Sequence, residues 1–178
     1  MRCFIAIELP EHLKSKIFHK AETLEKEGLF NGKITEKENL HLTLKFFGDV
    51  TEEEIQEIKG KLSKLDFRKM NVKLGKTGFF DDENHIRILW VELISHGIEP
   101  LRKKISESTL KFKEDTDFNS HITFARIKKV LAKNKLLENL KKIIFHEPEF
   151  EVSEFVLMKS ELLKSGPRYK ILEKFGLK

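Results

Sequence analysis

The sequence predicts an α+β fold of two similar lobes related by an approximate two-fold axis. Each lobe runs strand, helix, strand, helix, strand, and a central cleft lies between antiparallel sheets. Three observations point there. Apolar runs of period two alternate with runs of helical period, in the same order in both halves of the chain. Landmarks recur at one offset: His41 to His121 is 80 residues, Thr51 to Ala132 is 81, Met70 to Glu151 is 81, and Ile7-Glu8-Leu9 is echoed by Val91-Glu92-Leu93. No stretch rich in Pro, Gly or Ser separates the halves, which run over about 1–80 and 85–178. The expectation is one rigid bilobal domain over 1–178, with room for the lobes to exchange strands. A repeat near 80 residues is too long for a solenoid period.

The elements follow in order. Residues 3–9 form a short apolar run suited to a strand, and Pro10 opens a helix with Leu13, Ile17, Ala21 and Leu24 on one face and Gly28 at its C-cap. Residues 40–47 alternate as a strand. Thr51 and Glu54 form a capping-box pair before Ile55, Ile58, Leu62 and Leu65 at helical spacing. Met70, Val72 and Leu74 alternate as a third strand, joined in a hairpin across 81–84 to a strand over 86–94. Pro100 lies in the first turn of a helix facing inward with Leu101, Ile105, Thr109 and Phe112. A strand over 121–127 and a helix over 132–145 follow, then one strand through Phe150, Val152, Phe155 and Leu157. A hairpin at 165–167 returns through Tyr169 and Ile171.

The chain has 178 residues, with 34 Lys and Arg against 29 Asp and Glu, 39% of them apolar and 35% charged. Such a chain buries a sizeable core and is no disordered tail. The net charge of +5 suits a polyanionic ligand but is far weaker than that of a nucleic-acid coat. Cys3 is the lone cysteine, which excludes a disulfide framework and a cysteine-rich zinc site, so a reducing, cytoplasmic setting is expected. The apolar run 3–7 is too short for a signal-peptide core. No run approaches the roughly 18 residues of a membrane span, so no membrane partner is expected. Lysines number 28 against six arginines, with Gln56 the single glutamine, a lean toward a thermophile composition.

Chemistry concentrates in one repeated tetrad: His41-Leu42-Thr43-Leu44 and His121-Ile122-Thr123-Phe124. On a strand, His and Thr at i and i+2 share a face, so a two-fold relation lets two His and two Thr line the cleft. Chance yields about 0.05 such triplets with apolar flanks, so two copies by accident are of order one in a thousand. Paired imidazoles fit acid–base catalysis without a metal, one taking a proton from water and the other giving one to a leaving oxygen across a phosphorus centre. Threonine hydroxyls beside them suit the non-bridging phosphate oxygens. Alternation places Arg126 on the opposite face from His121 and Thr123 unless the strand end bends. His12, His19, His85, His96 and His146 stand in helix or loop settings without metal-ligand spacing, and no phosphate-binding loop or dinucleotide fingerprint occurs, so no metal or cofactor is expected.

These residues resemble the 2H phosphoesterase superfamily. Within it, Met1-Arg-Cys-Phe-Ile-Ala-Ile-Glu-Leu-Pro10, Glu38-Asn-Leu-His-Leu-Thr-Leu-Lys-Phe-Phe-Gly48, His121-Ile-Thr-Phe-Ala-Arg126, Phe155-Val-Leu-Met-Lys-Ser-Glu-Leu162 and Gly166-Pro-Arg-Tyr169 resemble the RNA 2',3'-cyclic phosphodiesterases, also called 2'-5' RNA ligases. The resemblance covers the chain end to end. It implies opening of a 2',3'-cyclic phosphate at an RNA end to a 2'-phosphomonoester, with His41 as proton donor and His121 as proton acceptor. From the residues alone, the two roles are interchangeable. The resemblance also implies that Thr43, Thr123 and Arg126 hold the phosphate. Phe46 matches a position that stacks on the terminal base, while its residue type suits the core equally. Ser120 departs from the family, where proline commonly precedes the second His. The competing readings are 2'-5' ligation of cleaved RNA halves by the same histidines and a non-catalytic module that binds RNA ends. The duplication already supplies a two-fold site within one chain, so a monomer is the simplest expectation.

Overall fold

The computed structural model describes residues 1–80, 85–112, 118–163 and 166–178. β1 (Arg2–Glu8) is buried from Cys3 to Ile7 because both its faces are covered. α1 (Glu11–Lys26) follows Pro10, whose φ of −55° suits a helix entrance, and it buries Leu13, Ile17, Ala21 and Leu24. Gly28, at φ +63°, supplies the left-handed residue past its end. β2 (Phe30–Ile34) and a 3-10 turn (Lys37–Asn39) lead into β3 (His41–Asp49). α2 (Glu52–Leu62) carries the expected capping box, with Glu54 N–H donating to Thr51 and Thr51 N–H donating to the Glu54 carboxylate. The first half ends in β4 (Met70–Phe80).

The second half contains β5 (Ile88–Ile94), α3 (Ile98–Ser108), β6 (His121–Val130), α4 (Lys133–Lys142), β7 (Phe150–Val152), β8 (Glu154–Leu163) and β9 (Gly166–Gly176). All strand pairs are antiparallel, and they form two sheets, of order β3-β1-β8-β9 and β2-β6-β5-β4-β7. The halves exchange their third strands. β4 from the first half flanks β5, and β8 from the second half flanks β1. Helices cross over too: α1 follows the four-stranded sheet but packs on β2 and β6, whereas α3 follows the five-stranded sheet but packs on β3. One hydrophobic core runs through both lobes as a result.

Four expectations need correction. β2 reads Phe-Asn-Gly-Lys-Ile, without alternation, so the sequence marks no strand there; it exists because the open edge of β6 pairs with it. Gly32 permits that pairing, since a Cβ would stand 2.3 Å from the Arg126 carbonyl oxygen. The strand expected through 150–157 is broken at Ser153, and its two pieces serve different sheets, β7 on β4 and β8 on β1. The helix expected over 132–145 stops at Lys142, because Ile143 is extended and Ile144 is exposed to solvent. α3 ends before Thr109 and Phe112, which are nonetheless buried beyond its C-terminus. The turns expected at 81–84 and at Ser165 fall outside the described residues. No described helix is long and apolar enough to cross a membrane.

Beneath the second half of the cleft lies Trp90, the single tryptophan of the chain, opposite Gly78 in the β4–β5 ladder. A Cβ on Gly78 would sit 2.4–2.5 Å from the indole ring, and the ring of Phe80 lies 5.4 Å from that indole, tilted by 37°. Gly78→Ala should therefore force the indole to shift and cost about 1–3 kcal/mol. Chemical denaturation followed by Trp90 fluorescence checks this, with a changed native emission maximum expected alongside the lower midpoint; unchanged stability and emission would contradict the packing described.

Candidate active site

Each histidine enters the cleft at the start of its strand, β3 at the edge of the four-stranded sheet and β6 inside the five-stranded one, opposite a glutamate of the neighbouring strand: Glu8 opposite His41, and Glu92 opposite His121. Two residues on, Thr43 opposes Ala6 and Thr123 opposes Trp90. The register then slips in both lobes at the same point. Ile5 pairs with Lys45 and Leu89 with Ala125, so Leu44 and Phe124 are the extra residues of two equivalent β-bulges. Leu44 and Lys45 are consecutively buried on the outer face, as are Phe124 and Ala125. The next residue in each strand therefore returns to the histidine face.

That return places Phe46 and Arg126, both five residues after their histidine, in the cleft. Strict alternation would put Arg126 on the far side; the bulge overturns it. Phe46 is 51% exposed, so the core reading of this side chain fails. His41, Thr43, Phe46, His121, Thr123 and Arg126 all line one cleft of about 320 Å³. The other five histidines line none of it.

The imidazoles are oriented from behind. His41 Nδ1 lies 2.7 Å from the Asn39 carbonyl oxygen, and His121 Nδ1 lies 2.7 Å from that of Asn119. A carbonyl accepts only, so Nδ1 carries the hydrogen in both rings and Nε2 is the nitrogen left for a ligand. Both acceptors are main-chain carbonyls, which any residue type supplies, so the sequence carries no signal for this device. Thr43 Oγ1 is 2.9 Å from His41 Nε2, and in the neutral ring its hydroxyl donates there. No such bond joins His121 and Thr123, both described residues. Ser120, the departure from the family pattern, donates its hydroxyl to the Leu93 carbonyl and accepts the Leu93 N–H, extending the ladder beside His121.

The surroundings of the two rings differ. Phe4 lies 5.0 Å from His41 and Tyr169 stands edge-on to it at 5.1 Å, over an apolar floor of Phe4, Ala6, Val156 and Met158. His121 meets the edge of Phe80 at 4.6 Å. Burial pushes His41 down to about 4, against the pull of its bond to Asn39; the charges of Lys14, His121 and Arg126 lower it further. Burial also lowers His121, the bond to Asn119 opposes, and Arg126 adds to the fall. Both rings are therefore neutral in the unliganded protein at pH 7. Tyr169, which burial drives upward, keeps its phenolic proton. Tyr169, Phe80 and Phe4 come from β9, β4 and β1, and nothing near the tetrads in sequence signals their approach. Among the described residues no three His, Cys, Asp or Glu side chains group as a metal site requires.

Comparisons with known proteins follow the same division of the chain. The family model described as LigT like Phosphoesterase matches twice, over residues 7–90 and 91–169. A Methanocaldococcus jannaschii protein named RNA 2',3'-cyclic phosphodiesterase is 35% identical over 98% of this chain and 100% of its own length. An Archaeoglobus fulgidus protein of the same name is 32% identical over 98% and 99%. Among solved structures, a Thermus thermophilus protein superposes with a TM-score of 0.81 at 25% identity, covering 99% of this chain and 97% of that one. Escherichia coli LigT in its apo form gives 0.77 at 21% identity, covering 99% and 96%, a likeness of fold. The doubled match, the full-length relatives and the paired tetrads agree: the chain belongs to the LigT-like phosphoesterase family.

Proposed function

We propose that this protein opens 2',3'-cyclic phosphates at RNA ends to 2'-phosphomonoesters by metal-independent acid–base catalysis. The observation that carries this reading is the pair of Nε2 atoms presented to one cleft by two rings whose Nδ1 atoms are locked on carbonyls. The name shared by the full-length relatives supports the same substrate.

His121 Nε2, open to the cleft and neutral, accepts a proton from water as the water oxygen bonds to phosphorus. The P–O3' bond breaks on the opposite side, and His41 Nε2–H donates its proton to the departing 3' oxygen. Thr43, Thr123 and Arg126 stabilise the negative charge on the non-bridging oxygens. His41 must therefore be charged when substrate is bound, although its ring is neutral in the empty cleft. The bound phosphate supplies the missing anion: it offsets the positive charges that depress His41 and raises its proton affinity. Protonation then reverses the bond with Thr43, whose hydroxyl becomes the acceptor. Exchange with water returns the proton from His121 after the product leaves. Phe46 stacks on the terminal base, and the exposed ring suits a single-stranded end.

With a short RNA ending in 2',3'-cyclic phosphate and EDTA present, wild type should yield the 2'-phosphate, and His41→Ala or His121→Ala should each lower kcat/KM roughly 10²–10⁴-fold. Chromatographic separation of 2'- from 3'-phosphate products reads the result. Full activity in both variants would sink the acid–base reading, and binding without turnover in wild type would favour a module that only holds RNA ends.

The pH dependence has a defined sign. His41 acts protonated, and in the free protein its proton is lost above about pH 4, while His121, which burial holds below the ordinary imidazole value, is neutral at pH 7 and above. Hence kcat/KM should fall as pH rises from 5 to 8, and kcat should hold to higher pH because bound phosphate retains the His41 proton. A kcat/KM that climbs between pH 5 and 7 would exclude His41 as the donor.

Phe46→Ala should raise KM about tenfold on a mononucleotide cyclic phosphate with little change in kcat, as loss of one base stack implies. An unaltered KM would remove the stacking role.

A further inference from the structure

From its first turn, α1 sends a charged side chain into the protein. Lys14 lies on the buried face of that helix and is only 7% exposed. Its Nζ donates to Glu8 Oε1 at 3.2 Å and to the main-chain carbonyl of Glu38 at 3.5 Å. Both partners border His41. Glu8 stands opposite His41 in the β1–β3 ladder, and opposite residues leave a sheet on the same face. Glu38 precedes Asn39, whose carbonyl accepts the Nδ1 hydrogen of His41. The ammonium therefore braces the turn that holds the imidazole, and its charge is felt by that ring. Lys14 itself is not part of the cleft lining.

The fold does not require a cation at this position. An offset of 84 residues relates Glu8 to Glu92, and relates the buried Ile17 and Ala21 of α1 to the buried Leu101 and Ile105 of α3. The same offset relates Lys14 to Ile98, which is 2% exposed in the first turn of α3. His121 is thus held on its own carbonyl, that of Asn119, with an apolar residue at the matching place. Taking an ammonium out of water costs far more than burying an isoleucine, so the lysine calls for a role peculiar to His41. The remaining charges about that ring are placed differently. Arg126 and His121 face it from β6, Lys33 of β2 is bonded to Glu36, and Lys37 of the turn is paired with Glu11 at the surface. The Glu38 carboxylate is exposed, and the Tyr169 phenol of β9 is uncharged.

A cation fixed beside an imidazole discourages charge on it while the cleft is empty and makes its proton easier to release. That suits a donor to be loaded only next to a bound phosphate. Beside a proton acceptor the same charge would weaken the base, and there the duplicate has Ile98. We propose that Lys14 is a positioning residue for the proton donor: it fixes the turn that orients His41 and leaves the ring uncharged until an anion fills the cleft. The proposal rests on the phosphodiesterase reading above.

The test follows the His41 ring by NMR titration of the unliganded protein, and the pH profile of kcat/KM on adenosine 2',3'-cyclic phosphate, in wild type, Lys14→Gln and Lys14→Arg. Glutamine keeps an N–H donor for the turn without the charge, and Ile98 at the matching position shows that the fold takes a neutral residue there. Arginine keeps the charge. In Lys14→Gln the His41 titration should move up by about one pH unit, the low end of what a nearby charge produces, and the break in kcat/KM should move with it. In Lys14→Arg both should stay within about 0.3 pH unit of wild type. A His41 titration unmoved in Lys14→Gln would overturn the proposal, and an equal shift in both variants would overturn it by reducing Lys14 to packing. The titration needs no turnover, so the two readings fail separately. Turnover by wild type with an unmoved titration removes Lys14 alone. Absence of turnover at every pH removes the phosphodiesterase reading, and the role of Lys14 with it.

Discussion

The β-bulge after each His-x-Thr is the local constraint on which the cleft depends. A strand presents alternate residues to one face, so a histidine and a threonine two apart already share a side. A third cleft residue on the same strand must fall at an odd count from the second for Phe46 and Arg126 to be used, and only an inserted residue allows that. Leu44 and Phe124 are those insertions, and the outer core accepts them by burying two consecutive side chains in each strand. Without the bulges the cleft would hold two imidazoles and two hydroxyls but no guanidinium and no aromatic platform from these strands. The same slip increases the local twist of both strands.

A duplicated scaffold has been put to unequal use. The bulge-return position carries an aromatic ring in one lobe and a cation in the other, Phe46 against Arg126. The buried partner of the bulge is Lys45 in one and Ala125 in the other, and Lys45 reaches the Thr109 carbonyl at the end of α3. The floor beneath Thr43 is the small Ala6, whereas beneath Thr123 it is the large Trp90 folded over Gly78. His41 is walled by Phe4 and Tyr169 and bonded to Thr43; His121 meets one ring edge and keeps Nε2 open. These differences break the symmetry that makes the acid and base roles interchangeable in the sequence. In the proposed reaction the open side is the one that takes the incoming water, and the aromatic side the one that faces the departing nucleoside.

The exchange of third strands ties the lobes into one unit. β4 and β8 each leave their own half to complete the other sheet, and the core runs continuously between them. The distance between the histidines is then set by packing across both sheets and not by a hinge. A core shared in this way suits the proposed acid–base chemistry, where two groups must stay in reach of opposite oxygens on one phosphorus atom.

Much of this was legible in the sequence, because it rests on local periodicity. The helical faces of α1 and α2, the cap at Thr51, the alternation of β3 and β6, the repeat near 80 residues and both tetrads follow from side-chain spacing alone. Other features depended on partners distant in the chain. β2 has no strand pattern of its own and forms because β6 offers an open edge; Ser153 divides a run of strand-forming residues because two sheets compete for its ends. The bulges could not be read from alternation, since the extra residue is apolar like its neighbours and only the register against β1 and β5 exposes it. Nor could the walls of Tyr169, Phe80 and Phe4, which arrive from three other strands. The sequence by itself determined which residues the proposed chemistry draws on, since their types and spacing are local properties. The tertiary structure alone decided which face each residue joins and how strongly its proton is held, because both depend on strand register and on burial by residues far away in the chain.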